Sequence, residues 1–258
     1  MAGVDAYSVP KMSLGRLIGA YISDAKYESI RLFRTPAFAV PILFMPILFY
    51  TLFGVLLPGK GVPAAVSNQM FVGWTVYGVM GPGLFGFGIL VALERTQGLL
   101  TFKRALPMPT GAYLAAKLIM AYVFAIGVMA MLVACAVTFG HVTLPALTLF
   151  KVAAVMSLGV FPACAIGLFI GSFAPASSAS AIANIVYLSM AFLSGLFFPL
   201  NGVLKTVQPM WPTFHLAQIA NATAGMPTRG TLIEHVGILA ALTLVLTFAA
   251  ARKLAKKG

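Results

Sequence analysis

Two long stretches without charged residues limit the folds that are open to this chain. Residues 61–93 and 118–150 contain no Asp, Glu, Lys or Arg, and apolar side chains dominate both. Each stretch is longer than the roughly 20 residues that a helix needs to cross the hydrocarbon core of a bilayer. Within that core a backbone must satisfy its own hydrogen bonds, as a helix does. We therefore predict an all-α integral membrane protein.

Six apolar segments are predicted to span the membrane, at residues 37–57, 69–93, 113–139, 146–170, 179–198 and 230–251. They form one transmembrane domain, 37–251, between an N-terminal region, 1–36, and a basic tail, 252–258. The second segment contains GPGLFG, which matches GxGxxG. This match lies inside an apolar span and not at a strand-to-helix turn, so it predicts close helix packing or a kink and not a nucleotide site.

The positive charges predict how the chain is oriented. Six spans place both termini on the same side, and of the 17 Lys and Arg residues thirteen fall on that side and four on the other. Cytoplasmic loops carry the excess of positive charge. We therefore expect both termini and the central loop in the cytoplasm, and the protein in a bacterial or archaeal inner membrane. The four residues on the outer side are Lys60, Lys151, Lys205 and Arg229.

The residues before the first span have the spacing of an amphipathic helix, from 12 to 34. Its apolar side consists mainly of Leu14, Leu17, Ile18, Tyr21, Ile22, Ala25 and Ile30. Its charged side consists of Arg16, Asp24, Lys26, Glu28 and Arg31. This pattern predicts a helix that lies in the membrane interface. A solvated or partner-binding helix remains the alternative.

The central loop, 94–109, is the long polar interval between two deeply apolar segments. Leu99, Leu100, Phe102 and Leu106 form an apolar strip at helical spacing, and Pro107 and Pro109 end the helix. Glu94 is expected at a helix start, where an acid is favourable, and it is expected to pair with Arg95 or with a base of a partner. The loop either presents this helix to the membrane surface or a soluble partner, or is an ordinary connector.

Residues 203–229 are apolar but are interrupted repeatedly by Pro and Gly. We predict one or two short helices that dip into the bilayer from outside, because irregular backbone at that depth is tolerated against protein or a watery cavity. The alternative is a surface loop. The candidate residues of an external gate are Phe198, Pro199, Pro209, Pro212 and His215.

Few residues carry catalytic or binding chemistry. The sequence has no GxxxxGK[ST] loop for ATP, and its acids lie at the edges of the spans or outside them. His141, His215 and His235 are scattered in the sequence and are interpreted as interfacial residues, so we predict no catalytic, metal or cofactor site in this chain. Cys135 and Cys164 are expected to be buried apolar residues. Polar groups within the spans are candidates to line a pathway: Asn184, Tyr187 and Ser189.

The arrangement resembles the membrane subunit of type-2 ABC exporters over nearly its whole length. ERTQGLLTFKRALPMPTGAYLAAKL is similar to the family's coupling-helix segment, ERExGTLxxLRxxPVSxxxYLxGKL. The matching positions are Glu94, Arg95, Gly98, Leu100, Arg104, Pro107, Tyr113 and Lys117. An R-x-x-R-x-P step, 31–36, precedes the first span, and 193–222 is similar to the family's external segment. His215 departs from that pattern by standing near a position usually occupied by an aromatic residue.

The resemblance implies a permease that forms the substrate pathway as a dimer, without an ATPase site of its own. ATP and Mg²⁺ would bind to a separate ABC ATPase subunit, in contact with the loop. The residues implied in ATPase coupling are Glu94, Arg95, Gly98, Leu99, Leu100, Phe102 and Arg104. The apolar composition favours an amphipathic or hydrophobic cargo such as a drug, antibiotic or lipid, and a lipid-linked glycan or polysaccharide remains open. The alternatives are an ion-coupled secondary transporter and an intramembrane enzyme.

Overall fold

The computed structural model describes residues 13–59, 61–100, 102 and 111–257, and the regular structure within these ranges is helical throughout. The α-helices are α1 (Leu14–Phe33), α2 (Pro36–Phe49), α3 (Ala64–Thr96), α4 (Ala112–Thr138), α5 (Ala146–Leu158), α6 (Val160–Phe173), α7 (Ala176–Leu193), α8 (Val203–Val207), α9 (Pro212–Thr223) and α10 (Leu232–Lys257). Among these residues six helices are long and apolar enough to cross a membrane. The predicted all-helical class and the number of spans are confirmed.

Several spans differ in detail from the predicted segments. The first continues beyond α2 as a π-helix, Tyr50–Leu56. The fourth consists of α5 and α6, which are separated at Gly159. The fifth ends at Leu193, earlier than predicted, and Gly195 follows it with a φ of 75° that favours glycine. The sixth extends to Lys257, so residues 252–257 continue α10 because Arg, Lys and Ala all favour helix.

Glycine residues bring α3 and α6 into close contact at the centre of the bundle. A Cβ atom at Gly83 of α3 would lie 2.7 Å from the Cys164 backbone nitrogen. A Cβ atom at Gly167 of α6 would lie 2.6 Å from the Leu84 carbonyl oxygen, and one at Gly171 would lie 2.7 Å from that of Phe87. The absence of side chains therefore lets the two backbones touch, as predicted for the GPGLFG segment.

Helix α1 packs against α4 through a face that combines Ala25, of the predicted apolar side, with Glu28, of the predicted charged side. Ala25, Glu28 and Leu32 are buried, and the Phe33 ring stacks on Phe124 with 4.3 Å between centroids. Glu28 was placed on the charged side of the helix, but the structure buries it, because it pairs with Lys117 of α4, which the periodicity of α1 cannot reveal. The exposed side carries the apolar residues Leu14, Ile18 and Ile22. Contact of α1 with the membrane interface stays a prediction.

The segment between α7 and α10 folds into α8, a 3₁₀ turn, Gln208–Met210, and α9. Nearly all of α9 is buried, and the Thr213 hydroxyl donates a 2.6 Å hydrogen bond to the Met190 carbonyl of α7. The alternative prediction of a surface loop is therefore wrong for α9. Whether the segment enters the bilayer stays a prediction.

Candidate functional site

Four charged side chains meet at the end of α3 where the central loop begins. Lys117 of α4 places its Nζ atom 2.6 Å from Glu28 Oε1 of α1 and 3.1 Å from Glu94 Oε2 of α3. Arg31 of α1 donates to the same two acids, at 2.9 Å to Glu28 Oε1 and 2.8 Å to Glu94 Oε1. The Tyr113 hydroxyl donates to Glu94 Oε2 at 2.6 Å. We refer to these five residues as the Glu94 network.

The charges of the Glu94 network balance, which makes its burial tolerable. Lys117 is fully buried, and Glu28 and Glu94 are 7% and 5% exposed. An isolated buried charge is very costly, whereas two carboxylates and two cations within hydrogen-bonding distance compensate one another. Burial opposes the charge of half-exposed Arg31, but its hydrogen bond to Glu94 and the charges of Glu28 and Glu94 raise its pKa. The network is a rigid joint between α1, α3 and α4.

The structure corrects the predicted setting of Glu94. It lies in the last turn of α3 and not at a helix start, and its partners are Arg31, Lys117 and Tyr113 and not Arg95. Its carboxylate is buried within the chain, so it cannot pair with a base on another protein. Sequence spacing missed this because all three partners come from other helices, one from α1 and two from α4.

The side chains of Arg95 and Glu94, although adjacent in α3, contact different helices. The Arg95 guanidinium donates to the Ser172 carbonyl and, at 2.6 Å, to the Ala174 carbonyl, at the end of α6. The last carbonyls of a helix lack partners within the helix, and a cation is favourable there. The Lys253 Nζ atom of α10 lies 5.2 Å from the neighbouring Phe173 ring. The start of the central loop is thus also joined to α6.

The described part of the central loop presents apolar side chains. Gly98 has a φ of 72° and separates α3 from a new helical turn, in which the Phe102 N–H bonds to the Gly98 carbonyl at 3.1 Å. Leu99 is 38% and Phe102 62% exposed, and Leu100 is half-buried. Arg104 lies outside the described residues. The expected helix therefore begins at the predicted apolar residues.

The residues predicted to form an external gate occupy two settings. Phe198, Pro199 and Pro209 are exposed, whereas Pro212, in the first turn of α9, and His215 are buried. His215 Nδ1 lies 2.8 Å from Nδ1 of His235, in α10. The histidines are therefore not all scattered, because the fold brings together two that are 20 positions apart in the sequence.

A cleft of about 440 Å³ lies between α2, α3 and α7. Its walls include Phe38 and Met45 of α2, Tyr77 of α3, and Asn184 and Tyr187 of α7. The Tyr187 hydroxyl is directed to the Tyr77 carbonyl at 2.8 Å, and the Asn184 amide to the Ser180 carbonyl at 2.9 Å. Asn184 and Tyr187 thus line this cleft, while Ser189 does not, and a role of the cleft as a pathway stays a prediction. The cleft is mostly apolar with few polar groups.

Among the residues of these sites, Lys117 stands out in the sequence as a residue that needs a buried partner. Lys117 is a lone cation four positions after Tyr113 in an otherwise apolar helix, and an ionisable residue in such a helix usually has a partner. Glu28 and His235 gave no comparable signal, because their partners lie on other helices.

Comparisons with known proteins agree with this architecture. Residues 20–220 match the family described as ABC-2 type transporter. The chain is also similar to the "Putative transport permease YvfS" of Bacillus subtilis (strain 168), at 26% identity over 193 residues, which cover 73% of this chain and 78% of the relative. The family match includes every residue of the Glu94 network and His215, whereas His235 lies beyond it.

Proposed function

Because the chain belongs to the ABC-2 type transporter family and is the membrane permease subunit of an ABC transporter, we propose that it exports its cargo as a dimer. Separate ABC ATPase subunits would supply the energy, with ATP and Mg²⁺ bound there and not on this chain. The proposed location is the inner membrane, with both termini in the cytoplasm. An amphipathic or hydrophobic cargo fits the apolar cleft better than a sugar chain does.

The observation that carries this proposal is the joint at the base of the central loop. Leu99 and Phe102 are exposed apolar residues, and such residues at a water-facing loop are favourable when a partner covers them. Directly before them, Glu94 and Arg95 fix the end of α3 to α1, α4 and α6. A push on the loop would therefore move four helices together. This is the arrangement that coupling to an ATPase requires.

The coupling role is tested with the permease and its ATPase reconstituted together in vesicles. Leu100→Asp and Phe102→Asp should each weaken ATPase association and abolish transport while the permease stays inserted and folded. Met210→Asp is the matched control, since Met210 is also an exposed apolar residue, on a different segment. Wild-type association and transport in both loop variants would reduce the loop to a connector. Glu94→Ala is unsuitable here, because it would break a buried network.

The dimer is supported by the exposure of the spans that border the cleft. The apolar stretches of the first span, Pro36–Leu56, and of α7 are each only 28% buried, compared with 78% for α3. Helix α10 is buried to 11% but does not line the cleft. In a background without Cys135 and Cys164, Ile185→Cys on the exposed side of α7 should cross-link two copies. Val245→Cys on α10, which is equally exposed, is expected to face lipid and to stay uncross-linked. Equal cross-linking at both positions would count against a dimer through α7.

Orientation is tested separately by labelling intact cells with an impermeant thiol reagent. In the same cysteine-free background, Lys205→Cys should be labelled and Lys253→Cys should be protected. Labelling of Lys253→Cys from outside would reverse the proposed topology. Transport driven by an ion gradient in the pure chain would instead support a secondary transporter.

A further inference from the structure

His215 and His235 occupy equivalent places in two neighbouring helices. Each is the fourth residue of its helix, α9 or α10, and each is directed back to a carbonyl six residues earlier. The His215 Nε2 atom lies 2.8 Å from the Pro209 oxygen, and the His235 Nε2 atom lies 2.7 Å from the Arg229 oxygen. A carbonyl oxygen only accepts hydrogen bonds, so both Nε2 atoms carry a hydrogen.

The remaining ring nitrogens face each other. The two Nδ1 atoms are 2.8 Å apart, which is a hydrogen-bonding distance. If both rings were neutral, with their hydrogens on Nε2, two lone pairs would meet with no proton between them. A single additional proton removes this conflict, since one Nδ1 then donates to the other. The four ring nitrogens would hold three protons, and the pair would carry one positive charge.

We propose that His215 and His235 form a buried binding site for one proton, which bridges their Nδ1 atoms and fastens α9 to α10. The ligand of this site is the proton itself. One histidine precedes the connection 224–231 and the other follows it. Formation of the proton bridge between them therefore fixes the position of that connection. This inference rests on the geometry of the pair alone and is independent of any transport role.

The surroundings of the pair are buried and partly aromatic, with one base and one acid nearby. Both histidines are 4% exposed, and the edge-on ring of Phe214 lies beside each of them. Arg229, in the connection, donates a 3.0 Å hydrogen bond from its guanidinium to Gln208 Oε1. Glu234, in the first turn of α10, accepts a hydrogen bond from the Thr231 N–H.

The other helices in contact with α9 carry few ionisable groups. On α8 and α5 these are the exposed Lys205 and Lys151. On α7 and the middle of α3 they are Tyr187 and Tyr77, which lie close together, while Glu94 and Arg95 lie at the far end of α3. Glu234 is thus the nearby acid and Arg229 the nearby base.

The bridge is closed only when the pair holds one proton. Loss of that proton at high pH restores the opposed lone pairs. At low pH a second proton would place two adjacent imidazolium rings in a buried site. Burial, together with the positive charge of His235, lowers the pKa of His215 and so delays this second step. The closed state therefore has an upper and a lower pH limit.

Ring-nitrogen NMR of the full chain in lipid vesicles tests the proposal directly. The His141→Gln background leaves only the two histidines of the pair, and selective ¹⁵N labelling reports the protonation of each nitrogen. We expect both Nε2 atoms to stay protonated and the two Nδ1 signals to change together as one shared proton is lost. Independent titration of the two rings, or two unprotonated Nδ1 atoms at every pH, would overturn the proposal.

A second measurement uses the pH dependence of thermal unfolding between about pH 5 and pH 8. His215→Gln and His235→Gln should each remove most of that dependence, and the second substitution should add little to the first. His141→Gln, at an exposed position, should retain the wild-type profile. A profile unchanged in both pair variants contradicts a shared proton. If a variant does not fold, the NMR titration of the unaltered pair gives the answer.

Discussion

The Glu94 network and the histidine pair both join helices through buried polar side chains, but they reach charge balance differently. The Glu94 network contains two acids and two bases, so it is neutral without help from solvent. The histidine pair contains two bases, and its contact needs a proton taken from outside the chain. The first joint is permanent near neutral pH, whereas the second depends on pH. The same fold therefore contains one fixed and one conditional connection.

The positions of the two joints match this difference. The Glu94 network lies at the end of α3. There Arg95 contacts the end of α6, and Phe173 of α6 in turn contacts Lys253 of α10. The C-terminal end of α10 is therefore close to the Glu94 network. His235 lies at the opposite end of α10, in its first turn. Under the proposed coupling, a permanent joint at the loop end would transmit force, and a conditional joint at the other end would permit that end to open.

Removal of Lys117 should have the largest effect, because it leaves two buried carboxylates facing each other. Lys117→Met should destabilise the protein by about 3–5 kcal/mol, as expected for a broken buried ion pair. Unfolding in detergent measures the loss. Lys151→Met removes the same charge from an exposed site on α5 and should be close to neutral. Equal stability of the two variants would show that the Glu94 network does not hold α1, α3 and α4 together.

The contact of α3 with α6 provides a third, uncharged joint for comparison. Gly167→Ala places a Cβ atom 2.6 Å from the Leu84 carbonyl, and overpacking of this kind costs about 1–3 kcal/mol. Gly237→Ala in α10 meets no atom within 4 Å and should stabilise the helix by up to about 1 kcal/mol. The two variants should thus shift the unfolding midpoint in opposite directions. A shift of the same sign would contradict the close packing of α3 and α6.

Uptake of a second proton, below about pH 6.5, should destabilise the histidine pair by a smaller amount than Gly167→Ala does. The pKa of His215 is lowered in the folded chain, so between that value and the usual pKa of about 6.5 the unfolded chain binds more protons. Stability contributed by His215 is therefore lost as the pH falls through this window. Within this window the unfolding midpoint should decrease on acidification, and less so in His215→Gln. A midpoint that rises instead would contradict the sign of the shift.

Truncation of Arg31 should have the smallest effect, although it also removes a cation from the Glu94 network. Its side chain is 48% exposed, so water screens and replaces its interactions, and Arg31→Ala should cost about 0–1 kcal/mol. Lys26→Ala on an exposed position of α1 serves as the control. A loss as large as that of Lys117→Met would mean that Arg31, and not Lys117, carries the charge balance.

The sequence predicted the helical class, the six spans and the role of the glycines in α3 because each depends on local or one-dimensional properties. A span needs only length and apolar composition. Helical spacing of apolar residues is also a local property, and it predicted the apolar strip of Leu99, Leu100 and Phe102. The partners of Glu94 and His215 were not predicted, since periodicity assigns a residue to one face of its helix but does not say which helix lies opposite.

By itself, the sequence determined that this chain is a bundle of membrane-spanning helices with a charged loop after the second span. Only the tertiary structure decided that Lys117 and Arg31 balance Glu28 and Glu94. It also decided that Arg95 caps α6 and that two of the three histidines touch. Apolar transfer from water is additive along the chain and can be read from composition. A buried charge or lone pair is stable only beside a complementary group, and the position of that group depends on how the helices pack.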